Sequence, residues 1–465
     1  MDAEDPAHSA DQHHSSVEQD QPPGVVKKAI AASAIGNATE WFDYGLYAYG
    51  VSYISAAIFP GDGATATLLA LMTFAVSFLV RPLGGFVWGP LGDRLGRRQV
   101  LAVTILLMAG ATFCVGLVPS YDTIGVWAPV LMVVLRMIQG FSTGGEYGGA
   151  ATFMAEYAPA RRRGLLGSFL EFGTLAGFSA GALMMLGFSL VLGDDQMNTW
   201  GWRLPFLIAA PLGLIGLYLR TRLDETPVFK DLEQEGEREK TVWAEFKDLI
   251  VRYWGPILRL GGLVVALNVV NYTLLSYMPT YLETAIGLST DTALIVPIIG
   301  MLSMMVFLPF AGLASDRFGR KPLWWISLIG LFVGVVPMFM LMSTSVLGAV
   351  IGYAVLGLLY VPQLATISAT FPAMFPTQVR YAGFAIAYNV STALFGGTAP
   401  ALNDWMVVET GNNLMPAFYM MAACVIGAIA LIKVPETARC PINGTEIPGT
   451  EEAPPQLDYE LEPSR

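Results

Sequence analysis

The ten residues GPLGDRLGRR at 89–98 recur as GLASDRFGRK at 312–321, and this repetition decides the fold. Asp93 matches Asp316 at an offset of 223, Pro159 and Arg163 match Pro376 and Arg380 at 217, and Glu225 and Thr226 match Glu436 and Thr437 at 211. Three ordered matches at nearly equal offsets describe two similar halves running in the same direction. A lone Gly-Arg-Arg carries no weight, whereas the same pattern in the same loop of both halves does. Its glycines let neighbouring helices approach closely, and each Asp can latch onto a helix end or an Arg in one conformation and release it in another. Asp93, Arg94, Arg97, Asp316, Arg317 and Arg320 are therefore expected to form a conformational gate.

The sequence around these loops reads as membrane protein. Its 465 residues are 54% hydrophobic and only 14% charged, too apolar and too charge-poor for a water-soluble chain of this length. A hydrocarbon core of about 30 Å takes roughly 20 apolar residues per helix. Runs of that length recur at 32–58, 66–91, 99–118, 128–153, 164–192, 203–220, 257–282, 292–314, 323–343, 346–371, 381–407 and 415–433. The alternation of a β-barrel is absent. The expected fold is all-α, twelve transmembrane helices in two six-helix halves around a central cavity. The halves fall at 27–220 and 255–433, joined by a charged loop at 221–254 and flanked by acidic tails at 1–26 and 434–465. Parallel repeats of this kind place one solute site near the bilayer midplane and rock about it.

Charge gives orientation and excludes several functions. Residues 1–26 carry six carboxylates and no Lys or Arg, and residues 434–465 carry seven carboxylates against Arg439 and Arg465, which together account for the whole formal charge of −11. The membrane body is electrically balanced, the Pro-, Asp- and Glu-rich tails read as solvated and disordered, and nucleic-acid binding has no support. Basic residues gather in alternate loops, at Arg94, Arg97 and Arg98, at Arg161 to Arg163, in 220–254, at Arg317, Arg320 and Lys321, and at Arg380. The other loops carry Asp62, Asp122, Asp194, Asp195, Glu283, Asp291 and Glu409. By the positive-inside rule both termini are cytoplasmic in a multi-pass plasma-membrane protein. Cys114, Cys424 and Cys440 have neither metal nor disulfide spacing, so no metal or other cofactor is expected. The N-terminus lacks the pattern of a signal peptide.

An ionised side chain near the bilayer centre costs roughly 2.5–3.5 kcal/mol even on a lenient scale, so each needs a reason. The first half has Glu40, Asp43, Arg81, Arg136, Glu146 and Glu171 inside its spans, while the second has almost none away from the interfaces. Proton coupling is therefore expected in the first half. Asn37, Glu40, Tyr44 and Tyr47 follow 3-4-3 spacing on the first helix, with Trp41 and Asp43 flanking, and Arg136, Gln139, Thr143 and Glu146 follow the same spacing on the fourth. These stripes read either as cavity walls or as buried ion pairs that neutralise each other. His8, His13 and His14 all lie in the N-terminal tail, so a shielded carboxylate must carry any proton, Glu146, Glu40, Asp43 and Glu171 being the candidates in that order. In the second half Asn268, Asn271 and Tyr272 echo the first helix, Gln363 falls opposite Glu146 by the repeat, and Tyr388 adds an aromatic. A charged coupling half and a neutral aromatic half would then face each other.

With the repeated loop, the chain resembles the major facilitator superfamily over about residues 25–437. GNATEWFDYGLYAYG at 36–50, FLVRPLGG at 78–85, RMIQGFSTGGEYGGA at 136–150 and WGWRLPF at 200–206 resemble its metabolite:proton symporter family. PSYDTIGVWAP at 119–129, APLGLIGLYLR at 210–220, DETPVF at 224–229 and FPAMFPTQVRY at 371–381 are similar to the proline/betaine branch. The resemblance implies proton-driven uptake of small zwitterionic osmolytes such as proline and glycine betaine by a monomeric functional unit in the lipid bilayer. A quaternary ammonium suits the faces of Trp41, Tyr44, Tyr47, Tyr272 and Tyr388, and its carboxylate suits Arg136 or Arg81. The coiled-coil tail of osmosensing relatives is missing, since after Glu436 come 29 residues with Pro454 and Pro455 and no heptads. Symport of an organic acid and a nontransporting solute sensor are the rival readings.

Overall fold

A computed structural model describes residues 23–450 except 96, 145, 210, 212–241, 378 and 443–445. The side chains at 23–29, 32, 89, 90, 92–99, 101, 146, 153, 157 and 242–250 also lie outside the description. Among the described residues there are helices and turns and no strand.

Twelve helical passes follow one another. In the first half these are α1 (Pro23–Tyr49, resuming as Val51–Ile58), α2 (Gly63–Leu95), α3 (Arg97–Leu117), α4 (Trp127–Thr143, resuming as Glu146–Tyr157), α5 (Arg163–Leu192) and α6, described over 203–209. In the second half they are α7 (Val242–Tyr272, continuing to Thr284), α8 (Thr290–Phe318), α9 (Arg320–Met342), α10 (Val346–Thr370), α11 (Arg380–Ser391, continuing to Thr410) and α12 (Met415–Ile432). Seven of them, α2, α5, α7 to α10 and α12, have by themselves the length and hydropathy of a membrane span. Of the remaining five, α1 and α4 carry Glu40, Asp43, Arg136 and Glu146, while Arg81 and Glu171 stand on α2 and α5.

Proline explains the irregular winding. Wide-turn π segments occur at Met197–Gly201, Thr273–Tyr277 and Thr392–Gly396. Each contains the residue four before a proline, at Pro205, Pro279 and Pro400. A helical proline donates no hydrogen bond to that residue and its ring crowds the carbonyl there, so the backbone widens by one position. In α7 and α11 this gives the second half two widened turns, each packed on the other helix beside that helix's own widened turn.

Packing is closest where glycine removes a side chain. A Cβ on Gly140 of α4 would stand 1.8 Å from the Ser77 carbonyl oxygen of α2, and one on Gly173 of α5 would stand 2.2 Å from that of Ala34 in α1. These positions bring backbones together and hold α1, α2, α4 and α5 around the charged residues.

Two expectations need correction. The expected interhalf loop is helical from Val242, continuous with α7 across a bend at Tyr253, the rest of that segment lying outside the described residues. The start of the C-terminal tail, expected to be solvated and disordered, is packed, with Val434, Ala438, Cys440 and Ile442 buried. Composition misleads there because Glu436 accepts the amide hydrogens of Arg320 and Lys321 at the start of α9, at 2.8 and 3.0 Å. A carboxylate at a helix N-terminus satisfies orphaned donors and meets the favourable end of the helix dipole.

Candidate functional site

The first-half charges meet in one buried cluster. Glu40 and Arg81 form an ion pair, both almost fully shielded, and Arg81 Nε also donates to Thr143 Oγ1 at 3.0 Å. Asp43 accepts from Thr112 Oγ1 at 2.7 Å, Thr112 accepts from Gln139 Nε2 at 2.7 Å, and Gln139 Oε1 accepts from Arg136 at 2.9 Å. Asp43 thus reaches Arg136 through two neutral side chains. Arg136 also donates to Ser77 Oγ at 3.3 Å, and its Nε is buried with no hydrogen-bond partner. A charged donor left unpaired in a low-dielectric interior is costly and is a ready point of attachment for an anion.

Aromatic rings enclose both guanidiniums. Arg81 lies 5.7, 5.3 and 5.2 Å from the ring centres of Trp41, Tyr44 and Phe78. Arg136 lies 5.2, 4.3 and 5.2 Å from those of Tyr44, Tyr47 and Phe74. Tyr272 of the second half reaches into the same group, 6.2 Å from Trp41, 6.4 Å from Phe74 and 5.1 Å from Phe78. A second contact between halves stacks Tyr147 on Tyr388 at 4.6 Å and 15°, with the Tyr147 hydroxyl donating to Glu171. The expected central walls therefore touch one another.

Other expected wall residues are engaged elsewhere. Asn37 donates to the Leu170 carbonyl and Thr174 Oγ1 of α5, at 2.8 and 2.6 Å, and accepts from Trp41 Nε1 at 3.0 Å, so it positions the Trp41 ring. Asn268 donates to Thr392 Oγ1, Asn271 accepts from the Tyr360 hydroxyl, and Gln363 donates to Ser327, all within the second half. Glu146 has its backbone at the start of the second α4 segment, and its side chain lies outside the described residues. Sequence reading missed Ser77, Phe74, Phe78, Thr112, Tyr147 and Tyr360, whose residue types are ordinary in apolar helices. It also missed Asp404 of α11, an acid inside a second-half span, although the Asp in ALNDWM was visible. The expectation of an almost uncharged second half is corrected accordingly.

Both membrane faces are closed. On the face bearing the tail after α12, Asp316 of α8 accepts the Gly164 and Leu165 amides at the start of α5, both at 2.8 Å, while Arg320 donates to it at 2.7 Å. Glu156 of α4 pairs with Arg380 of α11 at 2.9 Å. Arg163 donates to the Cys440 carbonyl at 2.9 Å and Arg380 donates to that of Ile442, so an arginine from each half grips the tail. Arg317 is exposed with its guanidinium 5.5 Å from the Phe318 ring, and the side chains of Asp93, Arg94 and Arg97 lie outside the described residues. On the opposite face Ser52 donates to Glu283, Ser189 donates to Asp291 at 2.6 Å, and Tyr53 meets Ser189 at 3.0 Å. The central cluster is thus occluded.

Thr112→Val tests the relay from Asp43 to Arg136. It leaves the Asp43 carboxyl and the Gln139 amide each short of a partner, at about 1–3 kcal/mol per orphaned group, so the unfolding midpoint in detergent should fall clearly. An unchanged midpoint contradicts the relay.

Comparison with known proteins fits this architecture. The sequence profile of the Major Facilitator Superfamily matches residues 34–401. A proline/betaine transporter of Escherichia coli (strain K12) is 44% identical over 429 residues, covering 90% of this chain and 86% of that protein. A glycine betaine/proline/ectoine/pipecolic acid transporter of Dickeya dadantii is 43% identical over 90% of this chain and 85% of that one. An ectoine/proline transporter of Corynebacterium glutamicum is 42% identical over 91% and 87%. Among solved structures, a proton:xylose symporter bound to 6-bromo-6-deoxy-D-glucose aligns with a TM-score of 0.69 at 21% identity, covering 89% of this chain and 96% of that one. At that identity the likeness speaks for the fold alone.

Proposed function

Because the chain belongs to the major facilitator superfamily and to its proline/betaine transporter branch, we infer that it takes up small zwitterionic osmolytes together with protons by alternating access. It is a multi-pass membrane transporter and not an enzyme. The observation that carries the solute class is the aromatic enclosure of Arg81 and Arg136, with Arg136 Nε unpartnered. A zwitterion brings a carboxylate for a guanidinium and a cationic head for the rings that the guanidiniums now cover, each such ring contact being worth about 0.5–2 kcal/mol.

Coupling follows from competition for Arg81. While Glu40 is ionised it holds Arg81. A proton on Glu40 removes the attraction and frees the guanidinium for the solute carboxylate, so proton and solute bind together and neither alone leaves the site balanced. Asp43 and Glu171 are the further proton candidates with described side chains, and Glu146 stays in that set. Trp41, Tyr44, Tyr47, Tyr272 and Tyr388 supply ring faces, Gln139 sets Arg136, and Asn37, Asn268, Asn271 and Gln363 position the helices that carry them.

The gate is assigned to the face bearing the tail, which the positive-inside pattern makes cytoplasmic, with both termini there in the plasma membrane. The halves are placed at 27–220 and 255–433, and one chain is the functional unit. Asp316→Ala deletes two helix-terminal hydrogen bonds and an ion pair, at about 1–2 kcal/mol for the cap alone. Spin labels on the cytoplasmic ends of α5 and α8 should then report roughly 5–30-fold more of the inward-open form. An unchanged distance distribution contradicts the assignment.

The solute class is tested by uptake of labelled proline, glycine betaine, a dicarboxylate and shikimate into proteoliposomes. Zwitterion uptake is expected. Uptake of the organic acids alone would move the chain to the anion reading that two buried arginines also permit.

A further inference from the structure

Asp404 is a buried acid that the central cluster does not use. It is 4% exposed on α11, and Asn403 beside it is fully buried. Asn403 Nδ2 donates to Thr273 Oγ1 of α7 at 2.9 Å, whereas its Oδ1 has no partner. Tyr277, one turn further along the α7 segment that packs on this part of α11, has a fully shielded hydroxyl with no hydrogen-bond partner. These contacts run along the π segment Thr273–Tyr277, which directly follows Tyr272, the second-half ring that touches Trp41, Phe74 and Phe78.

Among the described residues packed on it, no base stands nearby. On α7 the basic residues are Lys247, Arg252 and Arg259, toward the opposite end of the helix, and the titratable groups at the Asp404 end are Tyr272, Tyr277, Tyr281 and Glu283. Residues 63–80 of α2 and 415–432 of α12, which also pack on α11, contain no acidic or basic side chain, Tyr419 and Cys424 being their titratable groups. On α11 itself Glu409 lies nearer the membrane surface and Arg380 at the far end. An ionised carboxylate here has no counter-charge among these residues to offset its burial.

We propose that Asp404, with Asn403 and Tyr277, is a second proton-binding site of this carrier, in the second half between α7 and α11 on the outer side. A proton needs no cavity. Because the site borders the π segment, gain or loss of that proton changes the turn that carries Tyr272 into the solute cluster. The inference builds on the carrier reading above and adds a site outside the first-half carboxylates.

Two measurements test it on the full chain in proteoliposomes. Infrared difference spectra across a pH titration, without solute, should contain a titrating carboxyl C=O band that Asp404→Asn removes and Tyr277→Phe shifts. Spectra unchanged in both variants overturn the proposal, as does a band that Asp404→Asn removes but pH never alters. Should Asp404→Asn not fold, the Tyr277→Phe shift alone decides. For transport, Asp404→Asn should keep solute exchange, lower the proton:solute ratio from reversal potentials by one, and flatten the dependence of uptake on external pH. A parental ratio and pH profile overturn the proposal, and so does uptake driven by a sodium gradient that Asp404→Asn abolishes. Since the infrared band requires no solute, its loss in a protein that transports no zwitterion would sink the solute reading and leave this site standing.

Discussion

An Arg81→Ala carrier is expected to take up zwitterionic solute at least about 100-fold more slowly than the parent and to unfold at a lower temperature. Arg81 is buried against Glu40, and removing one partner of a buried pair costs about 3–5 kcal/mol, each 1.4 kcal/mol being a factor of ten. The second substitution Glu40→Gln separates structure from function. In Arg81→Ala/Glu40→Gln the stranded carboxylate is gone and the unfolding midpoint should recover, while uptake stays lost because the guanidinium is still absent. Recovery of both would make the pair a structural neutralisation only, and recovery of neither would mean that Arg81 supports the fold through Thr143 and the rings instead.

Glu40→Gln alone should do the opposite to the energetics of transport. The amide cannot take up and release a proton, and Arg81 no longer has a carboxylate holding it, so solute should still exchange across the membrane at a rate near that of the parent. Accumulation against a gradient should fall well below that of the parent, because the carrier loses the proton coupled through Glu40 and with it that part of the differential free energy that favours one direction. Retained accumulation would shift the coupling role to Asp43, Glu171 or Glu146.

Much of this site was legible because periodicity survives tertiary packing. Glu40, Tyr44 and Tyr47 on α1, and Arg136, Gln139 and Thr143 on α4, were read as stripes at helical spacing, and all six are buried together around two guanidiniums. Their partners were not legible. Thr112, Ser77, Phe74 and Phe78 are ordinary in membrane helices, and only the tertiary register of α2 and α3 makes one threonine a bridge between Asp43 and Gln139. Asn268, Asn271 and Gln363 were read by analogy with charged counterparts, yet each is held by a neighbour of its own half, because an amide can be satisfied by a single hydroxyl where a charge cannot.

The fold itself rested on the repeated loop and on twelve apolar runs, and both signals are strong because bilayer thickness fixes helix length. Composition failed at Glu436. A Pro- and Glu-rich tail looks solvated until one carboxylate finds a helix start and two arginines capture its carbonyls. The π segments of α7 and α11 were written in Pro279 and Pro400, but widening is one of several outcomes open to a helical proline, and bending or breaking would have left the same sequence.

The most direct test of the central claim is accumulation of labelled glycine betaine in proteoliposomes bearing the purified chain, under an imposed inward proton gradient with and without a protonophore. The account predicts accumulation above the external concentration that collapses when the protonophore is added and is reduced in Glu40→Gln. Accumulation that survives the protonophore, or simple equilibration in the parent with the gradient intact, would contradict proton coupling.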